Sequence, residues 1–152
     1  MTDRQDEIST LNTLISTLID SITGYEDAAA NSEAGRFAQI FRERAGERQR
    51  VVEDLRAEVR RLGGNPEDDG SFMGKTHQRF LDLKAAITGR DDKAIINEVE
   101  RGEDYLKEKF ETALESGNLS GETRAAVERA YQSVRAGHDQ MSQLKHGMEA
   151  SS

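Results

Sequence analysis

The feature that most constrains the fold is a long stretch, Phe37–Leu62, that carries two arginines on an apolar face. Apolar residues recur through it at intervals of three and four, which predicts one long helix with a single buried side. Arg44 and Arg48 lie in the middle of that side, and Glu47 lies next to them. Because such a helix must pack against others, charge at the centre of its apolar face indicates a bundle with a polar layer inside it.

The same periodicity predicts four long helices and one short helix. The long helices span 2–30, 37–62, 93–115 and 120–148, and the short helix spans 72–87. Tight turns join the first pair and the last pair, whereas about thirty residues separate the two pairs. A single long connection in the middle is typical of the ferritin-like topology. The predicted fold class is all-α, a ferritin-like four-helix bundle whose long crossover carries one short extra helix, unless that helix packs as a fifth member.

Composition limits the classes of protein that the chain can represent. The 152 residues suffice for one domain, which we assign to residues 1–148, with 149–152 as a frayed tail. The lack of cysteine excludes disulfides and thiolate metal sites. The net charge of −8 disfavours binding to nucleic acids and to anionic membranes. No apolar run is long enough to span a membrane and the N-terminus lacks a secretory signal, so we expect a cytoplasmic protein.

Polar residues on the other apolar stripes are predicted to complete the buried layer. In an antiparallel bundle, the middle positions of all four helices meet at a similar depth. Glu103 occupies a core position of the third long helix, and Arg48 is placed to pair with it or with Glu26. The adjacent Gly102 is expected to allow a close contact between helices. The remaining members of the predicted polar layer are Tyr25, Arg44, Tyr131 and His138.

The carboxylates of this region support a second interpretation, a dinuclear metal site. Such a site takes one Glu from each of two helices and a Glu-x-x-His pair from each of the other two. The candidate ligands for two iron or two manganese ions are Glu26, Glu47, Glu103 and Glu128. The histidines are missing, because Arg50 and Tyr131 stand three residues after Glu47 and Glu128. The sequence therefore favours an arginine–carboxylate layer without a cofactor, and a di-iron or di-manganese site is the alternative.

Five short motifs, spread over nearly the whole chain, resemble those of a known family. They are Leu11-Asn12-x-Leu14-Ile15, Glu47-Arg48, Arg61-Leu62-Gly63-Gly64-Asn65-Pro66, Gly70-Ser71-x-x-Gly74-x-x-His77-x-x-Phe80 and Glu100-Arg101-Gly102-Glu103-Asp104. In order and spacing they resemble the bacterial family of ferritin-like four-helix-bundle proteins of unknown function, which is distantly similar to the YciF-type stress-associated bundles. The resemblance implies a ferritin-like fold, homodimers and a cytoplasmic location, but no established reaction.

The sequence supports three hypotheses about function. The preferred one is a non-enzymatic, dimeric ferritin-like bundle with a structural or stress-related role. The alternative is a dinuclear-metal protein with oxidase, peroxidase or iron-handling activity. The third is a bundle that binds a protein partner through its acidic surface. No nucleotide-binding loop, serine-hydrolase elbow or zinc-protease motif occurs, so no catalytic or cofactor-binding residue is predicted.

Overall fold

The protein is a bundle of four α-helices. The computed structural model describes residues 4–32, 35–67, 92–119 and 121–151. Its helices are α1 (Arg4–Asn31), α2 (Gly35–Arg61), α3 (Asp92–Glu115) and α4 (Gly121–Ser151), and no strand occurs in these ranges. The predicted all-α four-helix bundle is confirmed. The short helix predicted for 72–87 and the helix cap predicted at Ser120 lie outside the described residues.

Two helix boundaries differ slightly from the predicted ones. Helix α2 begins at Gly35, two residues before the predicted start at Phe37. Helix α4 continues to Ser151, past the predicted end at Met148. None of the helices in the described ranges contains an apolar stretch of the length and composition that a membrane crossing needs.

Helix α2 ends where the sequence predicts, at a pair of glycines. Gly63 has a φ of 85°, a left-handed conformation that glycine adopts without a steric penalty. Its N–H donates to the carbonyl of Arg60 at 2.9 Å, and the Gly64 N–H donates to the carbonyl of Val59 at 2.9 Å. These two bonds form a Schellman motif, which satisfies carbonyl groups at the helix end. The predicted stop after Leu62 is therefore confirmed.

Hydrogen bonds between the helices fix their relative directions. The side chain of Asn12, early in α1, bonds to backbone groups of Asn65 and Glu67, just beyond α2. Farther along α1, Ser21 accepts a hydrogen bond from Arg48, in the middle of α2, so α1 and α2 are antiparallel. Helix α4 is antiparallel to α2 through Arg61–Thr123 and Arg44–Gln140, and antiparallel to α3 through Glu100–Lys145 and Glu111–Tyr131.

Helices α1 and α4 therefore run in one direction, and α2 and α3 run in the other. We call α1 with α2 the first hairpin, and α3 with α4 the second hairpin. The hairpins pack side by side, with α1 against α3 and α2 against α4. Consequently, the end of α2 and the start of α3 lie at opposite ends of the bundle. This arrangement of the described helices agrees with a single long connection between the hairpins.

Apolar side chains from all four helices fill the centre of the bundle. Fully buried examples are Leu11, Leu18, Phe41, Leu55, Ile95, Phe110, Val127 and Met141. Burying a side chain of this kind stabilises the fold by about 1.5–3 kcal/mol before the loss of conformational entropy is counted. Among the described residues, the largest side chain that is fully buried is not apolar but Arg48.

At two points, the buried stripe of α4 lies one position before the predicted stripe. The prediction placed Tyr131 and His138 in the core, whereas the structure buries Ala130 and Gly137 and leaves Tyr131 and His138 half-buried. At Gly137, a large side chain, Arg48, reaches α4 from the facing helix α2. Helical periodicity alone favours the larger tyrosine, because it cannot register the side chains that the neighbouring helices contribute.

Candidate functional site

The centre of the bundle contains a buried ion pair between the two hairpins. Arg48 of α2 donates from Nη2 to Oε2 of Glu103 at 2.6 Å and from Nη1 to Oε1 at 2.8 Å. The side chain of Arg48 is 0% exposed and that of Glu103 is 2% exposed. A two-bond pairing of this kind satisfies both carboxylate oxygens and fixes the plane of the guanidinium.

Tyr25 of α1 completes a buried triad with Arg48 and Glu103. The Tyr25 hydroxyl donates to Glu103 Oε1 at 2.7 Å. The guanidinium carbon of Arg48 lies 5.6 Å from the centre of the Tyr25 ring, within the range of a cation–π contact. Arg48 Nη1 also donates to the Ser21 hydroxyl at 2.7 Å. The triad therefore connects three helices, with Glu103 as the shared acceptor.

The surroundings of the triad hold Tyr25 and Arg48 each in one protonation state. Burial raises the pKa of the Tyr25 hydroxyl well above its usual range, and the negative charge of Glu103 raises it further. Burial acts to lower the pKa of Arg48, but Glu103 and Tyr25 oppose this and raise it above its ordinary value. Near neutral pH, Tyr25 stays protonated and Arg48 stays charged. A group that does not exchange its proton is a poor general acid or base.

A second polar cluster extends from the triad towards the surface between α2 and α4. Arg44 donates from Nη1 to Glu47 Oε2 at 3.0 Å and from Nε to Gln140 Oε1 at 2.6 Å. The Ser133 hydroxyl donates to the other carboxylate oxygen of Glu47. The Glu47 side chain is 36% exposed, so this cluster is in contact with solvent. It links the two hairpins a second time, outside the buried triad.

The remaining predicted residues lie away from the triad. Glu26 is exposed on α1. Glu128 is exposed on α4 and forms an ion pair with Arg124 at 3.1 Å. At the edge of the α3–α4 contact, the half-buried Tyr131 donates to Glu111 and the half-buried His138 lies against Asp104.

These placements do not fit a dinuclear metal centre. Of the four candidate ligands, only Glu103 is buried in the bundle, and Arg48 already occupies both of its oxygens. In the described ranges, no group of three or more histidine, aspartate and glutamate side chains could hold a metal ion. Arginine cannot serve as a ligand, because its guanidinium has only donors and stays protonated.

The sequence predicts a close contact between helices at Gly102, whereas the structure shows tight packing at Gly137, against side chains of α2 and α3. A Cβ atom built on Gly102 meets nothing within 4 Å, so the predicted contact there is absent. A Cβ atom built on Gly137 would clash with Arg48 Nη2. The signal for Gly137 was present in the sequence, since glycine within a helix costs about 1 kcal/mol relative to alanine. Other glycines within the described helices, among them Gly46 and Gly102, carry the same signal, and only the packing distinguishes Gly137.

The fold and the site together define an all-α four-helix bundle with a polar centre. Residues 6–116 match the family described as domain of unknown function (DUF2383), a match that covers α2, α3 and nearly all of α1. The chain belongs to this family. No curated protein matches the chain.

Proposed function

We propose that the protein is a non-enzymatic, ferritin-like bundle in which Arg48 supplies the internal positive charge that a metal ion would otherwise supply. The observation that carries this proposal is the buried, two-bond pairing of Arg48 with Glu103. A buried carboxylate requires a counter-charge, because an unpaired ion in a medium of low polarity is strongly unfavourable. With a guanidinium already bonded to both oxygens, a metal would first have to displace it.

The closed surroundings of the triad also argue against catalysis there. Tyr25, Arg48 and Glu103 are each at most 2% exposed, so a substrate would have no access without separation of the helices. The raised pKa values of Tyr25 and Arg48 oppose proton transfer near neutral pH. The role we propose for the triad is structural, and the role for the protein is that of a scaffold.

The proposal includes a ferritin-like relationship, a homodimer, a cytoplasmic location and a stress-related role. The directions of the four helices support the first of these, since α2 and α3 are parallel as a single long crossover requires. The others rest on the family resemblance in the sequence motifs. Sedimentation equilibrium would give twice the 16.9 kDa chain mass for a homodimer. A purely monomeric protein at micromolar concentration would contradict that part of the proposal.

Metal content tests the central claim. We expect the protein, purified from cells grown with added iron and manganese, to contain far less than one metal ion per chain by elemental analysis. Glu103→Gln removes the buried carboxylate, and Glu111→Gln is its matched control because Glu111 also accepts a tyrosine hydroxyl from another helix. About two ions per chain, lost in Glu103→Gln and kept in Glu111→Gln, would overturn the proposal and favour the dinuclear-metal alternative.

A further inference from the structure

Helix α4 packs against the buried ion pair at Gly137. A Cβ atom at this position would overlap Arg48 Nη2, and it would lie 3.3 Å from Glu103 Oε2 and 3.5 Å from Arg44 Cδ. The space beside Gly137 is therefore occupied by the guanidinium. A Cβ atom built on the other glycines of α2, α3 and α4, which are Gly35, Gly46, Gly102, Gly121 and Gly147, would meet nothing within 4 Å.

Arg48 cannot easily move away from an added methyl group. Its Nη1 atom is bonded to Ser21 and Glu103, and its Nη2 atom is bonded to Glu103. The centre of the Tyr25 ring lies 5.6 Å from its guanidinium carbon. A shift large enough to relieve the overlap would break the two-bond pairing inside a site that water does not reach.

The backbone itself does not require glycine at position 137. Gly137 lies within α4 and is not among the glycines with positive φ, which are Gly63, Gly117 and Gly121. Alanine would fit this backbone and would raise helix propensity. The reason for glycine must therefore lie in the space around it and not in its conformation.

We propose that Gly137 is a positioning residue whose missing side chain admits the Arg48 guanidinium and thereby fixes how the second hairpin packs on the first. One helical turn away on the buried stripe of α4 stand Val134 and Met141, both fully buried. Sliding α4 by a turn would place one of these larger side chains against the guanidinium. Of the three glycines of α4, Gly137 is the one that is buried, whereas Gly121 and Gly147 are exposed. This inference rests on the proposed role of Arg48 as the internal cation.

The test is a comparison of three glycine-to-alanine variants in the full-length protein. Gly137→Ala should raise the equilibrium constant for unfolding by about tenfold to a hundredfold, the range for one extra methyl group in a packed interior. Gly46→Ala and Gly102→Ala are matched controls, since both glycines are in helices and a Cβ atom there meets nothing within 4 Å. Each control should lower that constant by up to about fivefold.

Repeating the Gly137→Ala change in a second variant background shows whether glycine is needed because of Arg48 or because any side chain is too large there. In Arg48→Met/Glu103→Gln, the buried charges are gone and no guanidinium fills the space beside Gly137. Adding Gly137→Ala to this background should change the unfolding constant by less than about threefold. Urea unfolding followed by far-ultraviolet circular dichroism measures all these constants.

If Gly137→Ala raises the unfolding constant by the same factor in both backgrounds, the inference is wrong. It is also wrong if Gly137→Ala is as stable as Gly46→Ala. If Gly137→Ala does not fold at all, folding of the triple variant supports the inference. If neither folds while Arg48→Met/Glu103→Gln does, the inference is wrong. Metal content is not a readout here, so failure of this test is distinct from failure of the proposed function.

Discussion

Helix α3 contributes the carboxylate to two groups, each of which consists of a tyrosine, a carboxylate and a cation. The two groups differ in burial far more than in chemistry. In the inner group, Glu103 accepts the Tyr25 hydroxyl at 2.7 Å and pairs with Arg48 at 2.6 Å. In the outer group, Glu111 accepts the Tyr131 hydroxyl at 2.6 Å and pairs with Lys107 at 3.8 Å. Glu103 is 2% exposed, whereas Glu111 is 41% exposed and Lys107 is 32% exposed.

The difference in burial changes which effect contributes most to the pKa of each tyrosine. The pKa of Tyr25 is raised first by burial and then by the charge of Glu103. The pKa of Tyr131 is raised first by its hydrogen bond to Glu111, and burial comes second. Two hydrogen bonds of nearly equal length therefore have different energetic consequences. Because water screens charges at exposed sites, we expect the buried group to be the more strongly coupled of the two.

The largest expected effect comes from removing the buried cation. Arg48→Ala should lower the free energy of unfolding by about 3–5 kcal/mol, because it leaves Glu103 charged and unpaired inside the bundle. The matched change outside, Lys107→Ala, should alter it by no more than about 0.5 kcal/mol, because its pair is screened by solvent. Urea unfolding of both variants measures the contrast. Equal effects from the two changes would mean that burial does not distinguish the two groups.

Removing the tyrosine hydroxyls should again destabilise the inner group more than the outer group, but by a smaller difference in the free energy of unfolding. Tyr25→Phe should cost about 1.5–3 kcal/mol, because it deletes a buried hydrogen bond to a charged acceptor. Tyr131→Phe should cost less than about 1 kcal/mol, because water can replace the hydroxyl at Glu111. The two variants are compared by their urea midpoints at pH 7. A larger loss of stability in Tyr131→Phe than in Tyr25→Phe would contradict this prediction.

Alkaline pH should reduce the stabilisation of the folded state that the Tyr25 hydroxyl provides. The pKa of Tyr25 is raised in the folded protein, whereas an unfolded tyrosine titrates near about 10. Below that pH both states keep the proton and the stabilisation is complete. Above it only the unfolded chain loses the proton, so stability falls as pH rises. The gap in unfolding free energy between wild type and Tyr25→Phe should therefore narrow from pH 8 to pH 11.

The control for the pH series is Tyr131→Phe. The pKa of Tyr131 is also raised in the folded protein, but mainly by a hydrogen bond at a half-exposed site. The difference in unfolding free energy between wild type and Tyr131→Phe should narrow less from pH 8 to pH 11. A Tyr25→Phe gap that stays constant to pH 11 would be inconsistent with a buried hydroxyl at this position.

Among changes to the inner group, the smallest net change is expected when the whole group is replaced. Tyr25→Phe/Arg48→Met/Glu103→Leu exchanges every charged and hydroxyl group of the triad for an apolar one. Its stability should lie within about 1 kcal/mol of wild type, since apolar replacement of a complete buried ion pair is often neutral or favourable. Arg48 Nε is buried with no hydrogen-bond partner among the described residues, which adds to the cost of keeping the arginine.

Differential scanning calorimetry of the triple variant beside Arg48→Ala distinguishes net stabilisation from mutual dependence. A triple variant as unstable as Arg48→Ala would show that the triad is itself a main source of stability. A stable triple variant would show that the charges depend on one another and that the fold does not depend on them.

Predictions from the sequence were accurate for the helices and less so for the site. The stripe in 37–62 placed Arg48 inside the bundle, and the structure buries it completely. Glu103 and Tyr25 also stand on predicted stripes and are buried. Glu26 and Glu128, assigned with Glu47 and Glu103 as possible metal ligands, are exposed. They lie next to buried positions along the chain, and a rotation of one residue about the helix axis moves a side chain by about 100°.

Taken alone, the sequence determined the four long helices and most of their ends. Hydrophobic periodicity and helix-stop residues act locally, so they can be read from neighbouring positions in the chain. Tertiary structure decided which of two adjacent residues faces the core, as in Gly137 over His138. It also decided that Gly137 and not Gly102 receives a partner side chain. Both outcomes depend on the shape of the facing helix, and a buried arginine on α2 makes glycine on α4 the residue that fits.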